Sequence, residues 1–307
     1  MPNWNVNAFL LITISPEIAR CKSMEFWQGV QRVGFGTKRL AGATGGPDAR
    51  TKAVALIRRA VELGVNHLDT AAFYPTISPS DNARAMECLR WANETVREAL
   101  TPGTKEVVIA TKVGALDRPL VRPDELPGLV EQELRDLGRD TIDLVYFRQQ
   151  GLESVAEHFG VLAQLQEKGL IRGLGLSNIR LHHLAQAQEV APVVAVQNRY
   201  GVGFGRVNDE LVRLCGEQGI AYVPYFALAG ADREIGGVAA SDVVQQLADA
   251  HEATPAQIRL AWTLSRGEHM LAIPGTSSVQ HLSENLAAEF IHLSPTDIAA
   301  LDAVPSD

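Results

Sequence analysis

The chain has 307 residues, 46% of them hydrophobic and 21% charged, with a formal net charge of −8. A chain of this length buries a large core, and its composition is that of a globular protein. The acidic balance speaks against a nucleic acid or an anionic membrane as partner, because either needs a basic face.

Residues 1–23 read as a poorly structured extension. The apolar stretch Ala8 to Ile14 has no basic residue ahead of it and is followed at once by Pro16-Glu17, so it does not read as a signal peptide. No apolar run approaches the ~20 residues that span a bilayer. Residues 24–307 carry one periodic pattern, without a linker or a change of composition, and are read as a single domain. Cys21, Cys88 and Cys215 are odd in number, far apart and outside any C-x-x-C. They are expected to be free thiols in a reducing cytoplasm, with no metal site.

Short β-branched or apolar runs alternate with longer stretches of helical spacing. The runs are Arg32–Gly36, Asn66–Asp69, Val107–Lys112, Ile142–Phe147, Arg172–Leu176, Val193–Gln197, Ile220–Tyr225 and Met270–Pro274. They are continuous rather than alternating, as in parallel strands buried on both faces. Between them, Arg50–Leu63 places Ala53, Leu56, Ile57 and Ala60 on one helical stripe and stops at Gly64. Helices are also expected at Pro123–Leu137, Val155–Lys168 and Leu211–Gln218, each stopped by a glycine. Ala256–Arg266 follows an N-cap at Thr254 and Pro255 in the first turn. Eight strand-plus-helix units make the expected fold α/β, a (β/α)8 TIM barrel. A doubly wound open sheet is weaker, because Gly34–Arg39 lacks the third glycine of a dinucleotide fingerprint.

Barrels of this kind collect their chemistry at the C-terminal ends of the strands. Just past those ends stand Thr37, Asp69 with Tyr74, Lys112, Arg148, Ser177-Asn178, Gln197, Tyr225 and Gly275-Thr276. A lysine closing VVIATK and a glutamine closing VVAVQ are polar where burial is expected. Asp69, Tyr74 and Lys112 make chemical sense together. A phenol titrates near 10 and is a weak acid at neutral pH. A lysine beside it favours the phenolate, and a carboxylate keeps that lysine charged. Such a tyrosine can protonate an oxygen that gains electrons, which is half of a carbonyl reduction. The other half, a hydride, has to come from a cofactor.

The motifs G-V-N-H-L-D-T-A-A-F-Y (64–74), A-T-K (110–112), I-D-L-V-Y-F (142–147), G-L-I-R-G-L-G-L-S-N (169–178), V-Q-N (196–198) and I-P-G-T-S-S-V-Q-H-L-S-E-N (273–285) resemble those of the aldo-keto reductases. With A-Y-V-P-Y-F at 221–226, the chain is similar to their bacterial pyridoxal-reductase-like branch. The resemblance implies an NAD(P)H-dependent reduction of an aldehyde or ketone, with pyridoxal a candidate substrate and a small-molecule carbonyl as partner. It implies Tyr74 as general acid, tuned by Lys112 and Asp69. Ser177, Asn178 and Gln197 would bond the nicotinamide carboxamide, and Tyr225 would stack on its ring. Gly275, Thr276, Ser277, His281, Glu284 and Asn285 would hold the adenosine half, and Thr37 would also bind the cofactor. The family's usual histidine after the fourth strand is here Arg148, which can orient substrate or stabilise an oxyanion but does not titrate. The usual lysine and arginine at the 2′-phosphate are Gly275 and His281, so NADPH is expected with NADH as the alternative. Trp27 and Tyr146 are expected to line the pocket, and the protein to be a monomer or weak homo-oligomer. A nucleotide-sensing regulatory subunit on the same fold is the alternative function.

Overall fold

The computed structural model describes residues 23–41, 48–74, 91–100, 107–114, 121–228 and 241–306. The apolar runs form β1 (Phe35–Gly36), β2 (His67–Asp69), β3 (Val108–Gly114), β4 (Ile142–Arg148), β5 (Ile171–Ser177), β6 (Ala195–Gln197) and β7 (Ala221–Tyr222). All are parallel, and each pairs with the next in chain order in one seven-stranded sheet. Parallel neighbours need crossovers, and helices supply them. They are α1 (Ala49–Glu62), α2 (Trp91–Ala99), α3 (Leu126–Leu137), α4 (Ala156–Glu167), α5 (Leu181–Gln188) and α6 (Asp209–Gln218). After β7 come α7 (Asp242–Ala250) and α8 (Pro255–Ser265), then α9 (Val279–Ala287) and α10 (Pro295–Asp302). The expected cap of α8 is present: the Thr254 hydroxyl accepts from the Gln257 amide, and Pro255 opens the helix.

The eighth expected run, Met270–Pro274, is not a full strand among the described residues. It appears as single parallel bridges, Tyr222↔Met270 and Val33↔Ala272. The Leu271 amide donates to the Tyr222 carbonyl at 3.0 Å, and the Ala272 amide to the Arg32 carbonyl at 2.8 Å. Pro274 has no N–H to give to the ladder, though its carbonyl still accepts from the Gly36 amide at 3.5 Å. Two glycines allow the close approach at this seam. A Cβ on Gly36 would lie 2.6 Å from the Ile273 carbonyl, and one on Gly275 would lie 2.7 Å from that of Gly36.

Successive side chains of a strand face opposite sides. Val145 and Phe147 of β4 and Leu174 and Leu176 of β5 belong to the large core shared with the helices. The alternate residues Leu144 and Tyr146 join Ala110, Val194, Ala195, Ala221, Val223 and Leu271 in a second cluster on the inner face of the curled sheet.

The N-terminal ends of the strands are covered by residues 23–27. Ser23 Oγ donates to the Gly219 carbonyl at 2.8 Å, and Trp27 Nε1 to the Val194 carbonyl at 2.8 Å. The Trp27 ring meets His67 edge-on at 5.2 Å. Trp27 is therefore not a pocket residue: it sits at the far end of the strands from their polar tips. Ser23 is buried and belongs to the folded body; the rest of the expected extension, residues 1–22, lies outside the described residues.

Candidate active site

The side-chain alternation that fills the inner face with apolar groups also selects the polar ones at its rim. Lys112 shares the parity of Ala110, Arg148 that of Leu144 and Tyr146, and Gln197 that of Ala195. Register brings them side by side: Lys112 pairs with Tyr146, Arg148 with Ser177, and Ser177 with Gln197. Each is at or near the C-terminal end of its strand.

Lys112 Nζ lies 2.6 Å from Asp69 Oδ1, with the side chains 4% and 2% exposed. Nζ also donates to the Thr70 carbonyl at 3.1 Å. Gln197 Nε2 donates to Asp69 Oδ2 at 2.7 Å, and the Tyr74 hydroxyl to Asp69 Oδ1 at 3.4 Å. The Lys112 ammonium is 5.2 Å from the centre of the Tyr74 ring. Both carboxylate oxygens are thus engaged, as a buried charge requires. Burial lowers the Lys112 pKa, and Asp69 pulls it back up. Tyr74 differs from the sequence expectation. Burial, then the Asp69 charge, hold its pKa well above 10, and Arg148 is the group that pulls it down. The free site therefore keeps the phenol protonated.

Arg148 forms no ion pair among the described residues; its guanidinium lies over the Phe73 ring at 5.4 Å. It lines a cavity of about 70 Å³ with Tyr74, Lys112, Ser177, Gln197 and Tyr225, joined by Lys38 and Phe226. Tyr146 lies below this cavity, fully buried in the inner cluster. Asn178 turns the chain away from β5 with φ at +61°, a region asparagine tolerates better than most residues. Its Nδ2 donates to the Gln149 carbonyl at 3.1 Å, and Gln149 Nε2 returns a bond to the Asn178 carbonyl. Gln149, missed in the sequence, thus clamps Asn178. Thr37 is fully buried, and its hydroxyl and amide both donate to the Asp69 carbonyl, at 3.1 and 2.9 Å. Those bonds tie Thr37 to the end of β2, beside Asp69.

A second cavity, about 520 Å³, gathers Gly275, Thr276, Ser277, His281, Glu284 and Asn285, together with Arg39. That volume lies within the range of small-molecule sites, roughly 300–1,000 Å³. Thr276 Oγ1 accepts from the Ser278 amide at 3.0 Å, and Ser278 caps α9, so hydroxyls and a helix N-terminus face one side. Arg39, on the helical turn after β1, supplies a cation from the other side. It was missed because it is far from residues 275–285 in sequence. The donor set and size fit the phosphate-bearing adenosine half of a nicotinamide dinucleotide. A larger groove, about 820 Å³, lies between the loops after β4, β5 and β6. It shares Asn178 and Tyr225 with the predicted site but contains none of Asp69, Tyr74 and Lys112, so volume alone does not locate the chemistry.

The sequence pattern of the aldo/keto reductase family matches residues 32–305. Pyridoxine 4-dehydrogenase of Escherichia coli is 38% identical over 293 residues, covering 90% of this chain and 96% of that protein. A probable aldo-keto reductase of Glycine max is 30% identical, covering 90% and 86%. An aldo-keto reductase of Klebsiella pneumoniae, solved in complex with NADPH, superimposes with a TM-score of 0.74 at 26% identity, covering 91% and 92%. With the pattern spanning nearly the whole folded body, the chain belongs to the aldo/keto reductase family.

Proposed function

We propose that the protein reduces an aldehyde or ketone to the alcohol at Tyr74, with NADPH as reductant. The observation that carries this reading is the buried Asp69–Lys112–Tyr74 cluster opening into a cavity that Arg148 also lines. When bound, NADPH supplies a hydride for the carbonyl carbon, chemistry no side chain offers. Tyr74 holds the proton that the carbonyl oxygen takes up. Lys112 stabilises the phenolate left behind, and Asp69 keeps Lys112 charged. Arg148 directs its guanidinium at the oxygen as negative charge builds there.

Ser177, Asn178 and Gln197 would hold the carboxamide of the cofactor, with Tyr225 against its ring. Gly275, Thr276, Ser277, His281, Glu284 and Asn285 would line its adenosine end. In the same reading residues 24–307 form one domain. Met270–Pro274 is then the eighth strand of a closed (β/α)8 barrel, supported by the bridges to Tyr222 and Val33. Pyridoxal is the first substrate to try, given the name of the Escherichia coli relative. The cations Lys38 and Arg148 around Tyr74 suit a small polar aldehyde with an ionisable ring hydroxyl.

The test is NADPH oxidation with pyridoxal and a panel of aldehydes, beside NADPH binding by tryptophan fluorescence. Turnover is expected. Tight binding without turnover of any carbonyl would overturn the enzyme reading in favour of a nucleotide sensor, the alternative that Arg148 in place of the family histidine keeps in view. Arg39→Ala is expected to weaken NADPH about tenfold, roughly one charge-assisted hydrogen bond, and to leave NADH unchanged. Equal weakening of both cofactors would remove Arg39 from the 2′-phosphate.

A further inference from the structure

Glu133 is a carboxylate in the wrong place for a surface helix. It lies on the buried face of α3 with Leu126, Val130, Leu134 and Leu137 and is only 3% exposed. Burial pushes its carboxyl up to about 7, although the donors around it favour the charged form. Burying such a group costs free energy that its own helix does not demand.

What it gains is a set of bonds to the segments that carry the reacting groups. Oε2 accepts from Thr111 Oγ1 at 2.6 Å and from Asn93 Nδ2 at 2.6 Å. Thr111 precedes Lys112 on β3, and its side chain takes the outward parity while Lys112 faces inward. Asn93, on α2, accepts through Oδ1 from Thr70 Oγ1 at 2.8 Å. Thr70 follows Asp69, and its carbonyl receives the Lys112 ammonium. One carboxylate behind the sheet is therefore bonded, directly or through Asn93, to the neighbours of Lys112 and Asp69, and Thr70 leads into the turn that carries Tyr74.

We propose that Glu133 is a positioning residue, which locks the segments bearing Asp69, Tyr74 and Lys112 into one arrangement without touching substrate. The proposal rests on the reading of Tyr74 as proton donor. Glu133→Gln keeps the shape but replaces one acceptor oxygen by an NH2. The bonds from Thr111 and Asn93 then lose the charge that strengthens them. The segments beside Lys112 and Asp69 are held less firmly, and a displacement near 1 Å in a reacting group costs on the order of 10²-fold in rate.

The experiment measures kcat, aldehyde KM and NADPH dissociation for Glu133→Gln and Thr111→Val, beside Tyr74→Phe. Glu133→Gln is expected to lower kcat about 10- to 100-fold, with KM and NADPH affinity within about threefold. Thr111→Val, which removes one donor and keeps the shape, is expected to give a smaller drop with the same split. If Glu133→Gln fails to fold, Thr111→Val decides alone. Unchanged kcat overturns the proposal, and so does a kcat loss matched by an equal loss of NADPH affinity, which would mark a merely structural role. Tyr74→Phe separates the two claims: full turnover in that variant sinks the proton-donor reading itself, whatever Glu133 does.

Discussion

Tyr74→Phe is expected to lower kcat by about 10²- to 10⁴-fold, the usual worth of a positioned general acid. NADPH affinity should stay within about twofold. The ring packs against Ala71, Ala92 and Phe73 and remains in the variant, so the loss isolates the hydroxyl. Burial and Asp69 hold the Tyr74 pKa well above 10. Through the neutral range the phenol keeps its proton, so the wild-type rate is not limited by a deprotonated donor. Acidity is needed only as charge grows on the substrate oxygen, where Lys112 and Arg148 stand ready to stabilise it. Steady-state kinetics with NADPH binding measured alongside is the check. A kcat within threefold of wild type would mean that the proton comes from elsewhere.

The second large effect concerns stability. Asp69→Asn leaves the Lys112 ammonium buried beside a neutral amide, and breaking a buried pair this way costs roughly 3–5 kcal/mol. The double variant Asp69→Asn/Lys112→Met should recover much of that loss, because the uncompensated charge goes with the lysine. The sign with pH follows from Lys112. Its folded pKa already lies below the ordinary value through burial, and Asp69 is what holds it up. Without Asp69 it falls further. A depressed folded pKa means a penalty that is full below that pKa and fades as the pH rises from it toward the higher unfolded pKa. Denaturant unfolding at about pH 6 and about pH 9.5 should show a smaller Asp69→Asn deficit at the higher pH. A variant as stable as wild type at neutral pH would contradict the account.

Much of the architecture is legible in the sequence because strands buried on both faces have continuous apolar runs. β3 and β4 fall within two residues of the expected bounds, and the glycine stops after α3 and α6 adopt the left-handed conformation. Helix α2 is nearly invisible by the same logic. Its buried face is Ala92, Asn93, Thr95, Val96 and Ala99, so no large apolar stripe announces it. Glu133 hides for the matching reason: a glutamate in a helix reads as solvated until its neighbours in space are known. The Asp69–Tyr74–Lys112 cluster was legible because position at a strand end and residue chemistry agree. Trp27 was misplaced because sequence shows that an aromatic residue lies near a strand, but not which end it faces. Arg39 needed the seam between β1 and residues 273–275, a contact between distant parts of the chain.

The bonds of Ser23 and Trp27 at the N-terminal ends of the strands also settle how the protein can be handled. The described residues begin at the end remote from Tyr74. The last of them lie elsewhere: the Arg206 amide donates to Ser306 Oγ at 3.4 Å, beside the loop that follows β6. Anchoring the protein to a surface at Ser23 would turn the mouth outward toward the solution. A tether after Ser306 would start beside a loop that borders the mouth, so the upstream attachment suits an immobilised reductase.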